Sequence, residues 1–130
     1  MADAQISRAA HWTGFALGLL PALFLILDGV MKLVKPEVVV KATVELGYSE
    51  SVIVPLGITL LISVALFMYP RTTVFGAILL TGYLGGAVAT HVRHGGSWFE
   101  ILFPAILGAL IWLGLWLCDT RVRQLVPLRS

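Results

Sequence analysis

The chain has 130 residues, 58% of them hydrophobic and 12% charged, with a mean hydropathy of +0.94 and a net charge of +2. Soluble domains carry roughly 25% charged residues, so this composition excludes an ordinary soluble domain and marks an integral membrane protein. The small net charge, with no basic run interleaved with aromatics, excludes nucleic acid as a partner, and the single cysteine, Cys118, excludes an internal disulfide or a CxxC redox pair.

The charged residues are clustered. Four intervals lack Asp, Glu, Lys and Arg: Ala9–Leu27, Ser51–Pro70, Thr72–Val92 and Ile101–Cys118, of 19, 20, 21 and 18 residues. A helix needs about 20 residues to cross a hydrocarbon core of about 30 Å. The predicted fold is therefore an all-α integral membrane four-helix bundle, one domain over residues 1–130, with spans at about 12–34, 51–70, 72–92 and 99–118. The first run is longer than the apolar core of a signal peptide and continues into LDGVMKLVKPE, so it is expected to be retained as a span.

In the first span Gly14, Gly18 and Ala22 recur every four residues. Taking Gly14 as 0° on a helical wheel, Gly18 falls at about 40°, Asp28 at about −40° and Lys32 at about 0°. The charged pair of LDGVMKL thus continues the small-residue face and points into the bundle, where an intramembrane acid needs a partner. At 1.5 Å per residue from Trp12, Asp28 lies about 24 Å along and Lys32 about 30 Å, placing Lys32 nearer water.

The one long loop, KPEVVVKATVELGYSES, predicts a short amphipathic helix over about 36–46, with Pro36 at the first helical position and Gly47 at the stop. Glu37, Lys41 and Glu45 share one face, so the segment would lie in the interface or over the bundle mouth. A strand, favoured locally by three adjacent valines, is the competing reading.

The third span carries Gly82 and Gly86 on one face. Small residues let helices approach closely in lipid, and the first and third spans are expected to touch through Gly14, Gly18, Gly82 and Gly86. Arg93 falls about 20° from Gly82, whereas His91 falls on the opposite face. Glu100 opens the fourth span, in which Pro104 stands near the start, where it costs few backbone bonds. Asp28, Lys32, Arg93 and Glu100 are thus predicted to form one network opposite the termini. That network either locks helix ends or forms the polar floor of an apolar pocket suited to the head group of a quinone. His91 would add a proton donor near neutral pH. His91-x-x-His94 is half a metal site with no thiolate near, so no metal is expected.

The run GAILLTGYLGGAVATHVRHGG (residues 76–96), with the first-span DGVMKL and the final P-x-x-LGALIWLGLWL-x-x-x-RVRQLVP, resembles the DoxX-like family of small bacterial membrane proteins over almost the whole chain. The matching positions are Gly29, Lys32, Gly82, Gly85, Gly86, His91 and Arg93. The resemblance implies a four-helix protein of the bacterial cytoplasmic membrane. Some relatives are associated with sulfur-compound:quinone oxidoreductases or membrane oxidoreductase complexes, and others look like assembly factors.

Two functional readings follow. One is an auxiliary subunit that binds an apolar molecule such as a quinone, with the lipid bilayer and an oxidoreductase or other membrane protein as partners. The other is a stand-alone enzyme using Asp28 with Arg93 or His91 for acid–base chemistry on a lipid-soluble substrate. A transporter would require a homo-oligomer. The terminal side carries Arg8, Arg71, Arg121, Arg123 and Arg129 against Lys32, Lys35, Lys41 and Arg93 opposite, which predicts cytoplasmic termini.

Overall fold

The computed structural model describes residues 7–128. Its long helices are α1 (Arg8–Val34), α3 (Ile53–Met68), α4 (Thr73–His94) and α5 (Trp98–Cys118), with short helices α2 (Glu37–Glu45) and α6 (Thr120–Leu125) at opposite ends of the bundle. A 3₁₀ turn, Glu50–Val52, leads into α3. Four helices, counting that turn with α3, are long and apolar enough to span a membrane among the described residues.

Local chemistry sets the helix ends. The Ser7 side chain caps α1 by accepting from Ala10 N at 3.1 Å. At the other end Lys35 takes a left-handed conformation (φ 59°) and Pro36 follows, so the helix cannot continue. With 27 residues, α1 is ~40 Å long. It therefore carries Asp28 and Lys32 to the far end of the bundle. The loop segment is the helix α2, not a strand, and Pro36 is its N-cap rather than its first helical residue. Gly47, at φ 100°, makes the left-handed exit that a side chain would resist. Gly95, at φ 81°, ends α4, and the Ser97–Glu100 capping box starts α5 two residues later.

Consecutive spans lie side by side, α3, α4 and α5 through short links and α1 and α3 through the long α2 segment. α1 packs on α3 and α5, α4 packs on the same two helices, and α1 and α4 stand on the diagonal. Leu60 and Val64 of α3, Ala77 and Leu80 of α4, Ala22 of α1 and Ile111 of α5 form the centre. Large apolar side chains such as Leu20, Leu23, Ile62, Ile78 and Ile106 are exposed on the outside, the surface that a bilayer covers. Hydroxyls along the spans are satisfied within their own helices: Thr59, Ser63, Thr81 and Thr90 each donate to the carbonyl four residues back.

The glycine contacts differ from the expected ones. A Cβ on Gly14 would meet the Gly114 carbonyl oxygen at 2.6 Å, and one on Gly114 would meet Gly14 O at the same distance, so the α1–α5 seam requires both. A Cβ on Gly57 would meet Lys32 Cβ at 2.8 Å and Gly29 O at 3.0 Å, which defines the α1–α3 seam. Gly18 lies against the Phe67 ring. Gly82 and Gly86 have no atom within 4 Å of a Cβ position. The expected approach of the first and third spans does not form, because α3 and α5 each pack on both α1 and α4 and hold those two on the diagonal.

Candidate ligand pocket

The diagonal gap left by those glycines is a cavity of about 520 Å³ at the end away from the termini. α1 supplies Phe24, Leu25, Asp28 and Lys32, α4 supplies Gly82, Tyr83, Gly86, Ala87, Thr90 and His91, and α5 supplies Phe103, Pro104 and Leu107. Val38, Val39, Ala42 and Thr43 of α2 lie over the mouth, with Leu46 and Tyr48 behind them. Phe24 meets Phe103 edge-on at 5.0 Å, and Phe99 stacks on Phe103 at 5.5 Å. Pro104 is seven residues into α5, inside the helix rather than at its start. It cannot donate to the Glu100 carbonyl, and its buried ring forms part of the wall.

The predicted four-residue network divides into three. Lys32 Nζ donates to Asp28 Oδ2 at 2.7 Å, one helical turn apart. Within the protein Lys32 is the more enclosed partner: its side chain is 14% exposed against 37% for Asp28, and its stem runs past Gly57. Arg93 is exposed and points elsewhere, donating from Nη2 to Leu46 O at 3.0 Å at the end of α2. Glu100 is exposed and spent on its capping box, with Oε1 accepting from Ser97 N at 2.9 Å. Neither Arg93 nor Glu100 lines the cavity.

His91, expected on the far face from Gly82, lines the same cavity. The lining arc covers a little over half the circumference of α4: Gly82 and Leu84 mark its edges, His91 lies next to Leu84, and Tyr83 and Thr90 sit near its centre. His91 Nδ1 is buried and lacks a hydrogen-bond partner, the one such side-chain atom among the described residues. Tyr48, from the loop after α2, bonds Thr90 Oγ1 at 2.7 Å, and Thr90 donates to Gly86 O at 2.8 Å, so the Tyr48 hydroxyl is the donor to Thr90. Tyr48, Tyr83 and Thr90 went unnoticed in the sequence. The signal was present for two of them: Tyr83, Gly86, Ala87 and Thr90 form an i, i+3, i+4, i+7 stripe that places hydroxyls among small residues.

The family profile of the DoxX-like family matches residues 5–114. The chain belongs to the DoxX-like family. Its spans and this membership make it a small multi-pass integral membrane protein. Comparison with curated proteins and with solved structures gave no match.

The cavity volume falls within the ~300–1,000 Å³ of small-molecule sites. Gly82 and Gly86 leave open space that any side chain would fill.

Proposed function

We propose that the protein is an auxiliary membrane subunit whose cavity holds a lipid-soluble molecule of the quinone type and which works beside a membrane oxidoreductase. The observation that carries this reading is the cavity itself. Its walls are apolar, while Asp28, Lys32, Thr90 and His91 gather at one end. An amphipathic ligand would set its head among those groups and leave its tail against Phe24, Phe103 and Leu107. The tolerance for a bulky ring comes from Gly82 and Gly86, which keep α4 bare where it faces the gap.

The acid–base alternative retains only one of its two forms. Arg93 is bound to the end of α2, outside the cavity, so it is not placed to act with Asp28. Asp28 and His91 share the cavity wall, but the acid is already engaged by Lys32. The ligand-holding role therefore takes precedence. Its setting is the bacterial cytoplasmic membrane with both termini in the cytoplasm, as the basic C-terminal segment favours.

Native mass spectrometry of protein purified in a mild detergent, identifying co-purified quinones, lipids and proteins, tests this reading. The parent should carry a quinone-type molecule, and Gly86→Leu, which fills the cavity, should lose it. Equal small-molecule content in the two proteins would falsify a role for this cavity.

A further inference from the structure

The residues that line the cavity carry four hydroxyl groups, Thr43, Tyr48, Tyr83 and Thr90. Three have given their protons to the protein. Thr43 donates to Val39 O at 2.8 Å, Tyr48 to Thr90 at 2.7 Å, and Thr90 to Gly86 O at 2.8 Å. The Tyr83 hydroxyl makes no hydrogen bond among the described residues, and it is not sealed in. Tyr83 is half-buried, and His91 Nδ1 is the one fully buried side-chain nitrogen or oxygen there without a partner, so the Tyr83 hydroxyl keeps surface that a bound molecule can touch.

Position turns that hydroxyl toward the gap. Tyr83 leaves α4 near the centre of the arc that lines the cavity. Asp28, across the diagonal on α1, is near enough for its charge to act on the hydroxyl. Asp28 nevertheless takes its hydrogen bond from Lys32, at 2.7 Å, and none from Tyr83. An O–H facing an apolar cavity inside a bilayer without an acceptor forfeits a hydrogen bond. A phenol with an unspent proton calls for an acceptor, and a carbonyl oxygen is an uncharged one that brings no proton of its own. Gly86, three residues on and about 60° round the helix, has nothing within 4 Å of a Cβ position, so a ring can lie against α4 beside the hydroxyl.

We propose that Tyr83 is the head-group contact that sets what this pocket accepts, its hydroxyl donating to a carbonyl oxygen on the ring of a lipid-soluble ligand; this deepens the ligand-holding reading above and rests on it. Gly86 admits the ring, and the Phe24–Phe103 pair lines the side along which the tail runs. An ester carbonyl of a bilayer lipid offers the same acceptor, so the test separates the two sources.

The test uses the full chain in detergent and measures binding of decylubiquinone by equilibrium dialysis. Two further molecules are compared: decylbenzene, with a ring and tail but no oxygen, and dioctanoylglycerol, with ester carbonyls but no ring. Tyr83→Phe should bind decylubiquinone roughly three- to tenfold more weakly, the loss of one neutral hydrogen bond. It should bind decylbenzene as the parent does. Without ligand the two proteins should melt together, because the hydroxyl holds nothing that the substitution could break. Dioctanoylglycerol should displace decylubiquinone poorly. Equal affinity of parent and Tyr83→Phe for decylubiquinone, or an equal loss for decylbenzene, overturns the assignment of Tyr83 and leaves the cavity reading intact. A ligand-free Tyr83→Phe that melts below the parent reveals a hydroxyl bonded within the protein and overturns it too. Ready displacement by dioctanoylglycerol gives the contact to lipid esters and overturns the ring carbonyl. A parent that fails to bind decylubiquinone overturns this inference in any case; the cavity reading falls with it only if Gly86→Leu also leaves the co-purified molecules unchanged.

Discussion

Asp28 and Lys32 are unequally covered, and that inequality decides how each substitution acts. Removing the acid strands the better-enclosed ammonium. A fully buried pair loses about 3–5 kcal/mol when one partner is truncated; with Asp28 about a third exposed to the cavity, Asp28→Asn should cost less, about 1–3 kcal/mol. Asp28→Asn and Lys32→Gln should be clearly non-additive in a double-mutant cycle, because they touch the same bond. Asp28→Asn and Arg93→Gln should add simply, since Arg93 bonds Leu46 instead. Thermal denaturation of the three single and two double variants in one detergent distinguishes these outcomes, and coupling between Asp28 and Arg93 would contradict the geometry. Sequence reasoning put Asp28 on the inward face correctly but chose the wrong long-range partner. Angle and depth on a wheel say where a side chain can point, whereas a partner depends on which helix stands opposite.

At the scale of elements, the glycines fall into seams and a hollow. Gly114→Ala would push a methyl group against Gly14 O and should cost about 1–3 kcal/mol by overpacking. Gly86→Leu meets open space and replaces a poor helix former with a good one, so its melting temperature should equal or exceed that of the parent. The opposite ranking of the two variants would place the seam on α4. α2 is tied at its C-terminal end by Arg93 to Leu46 O and just beyond it by Tyr48 to Thr90. Arg93→Ala should raise amide exchange across α2 while leaving α4 protected; unchanged exchange would show that the tie is idle. At the other end, Asp119 caps α6 by accepting from Arg121 N at 2.9 Å. Burial disfavours its carboxylate, but the Arg121 hydrogen bonds and charge outweigh that and hold its pKa below the ordinary value. A folded pKa below the unfolded one, about 3.9, means stabilisation fully present above that value and lost as pH falls through the depressed one. Trp116, whose Nε1 donates to Val126 O at 3.0 Å just past α6, should report loosening by fluorescence only below about pH 3.9. Asp119→Asn should abolish that acid step.

For the whole molecule, the even number of spans puts α2 and the cavity on one side of the membrane and the chain ends on the other. With cytoplasmic termini, the cavity mouth under α2 opens on the outer face. A reporter active only in the cytoplasm should work when fused after Ser130 and fail when inserted at Gly47. The reverse pattern would turn the molecule over and place the cavity mouth toward the cytoplasm, which changes the side from which a soluble partner could reach it.

Composition and charge spacing by themselves determined the class of molecule and its four spans, because a bilayer admits backbone only where each peptide group is bonded internally, and about 20 uncharged residues in a row satisfy that requirement in one way. The short helix after Pro36 was legible for a similar local reason, a proline start and a glycine stop. Which faces meet was not local. GxxxG spacing is the same whether a glycine admits a neighbouring backbone, as Gly14 does with Gly114, or leaves a space, as Gly82 and Gly86 do. Only the ring order of the helices separates the two, and that order set α1 and α4 on the diagonal, gave Arg93 to α2, and brought His91 and Tyr48 from distant stretches of chain to the wall of one cavity.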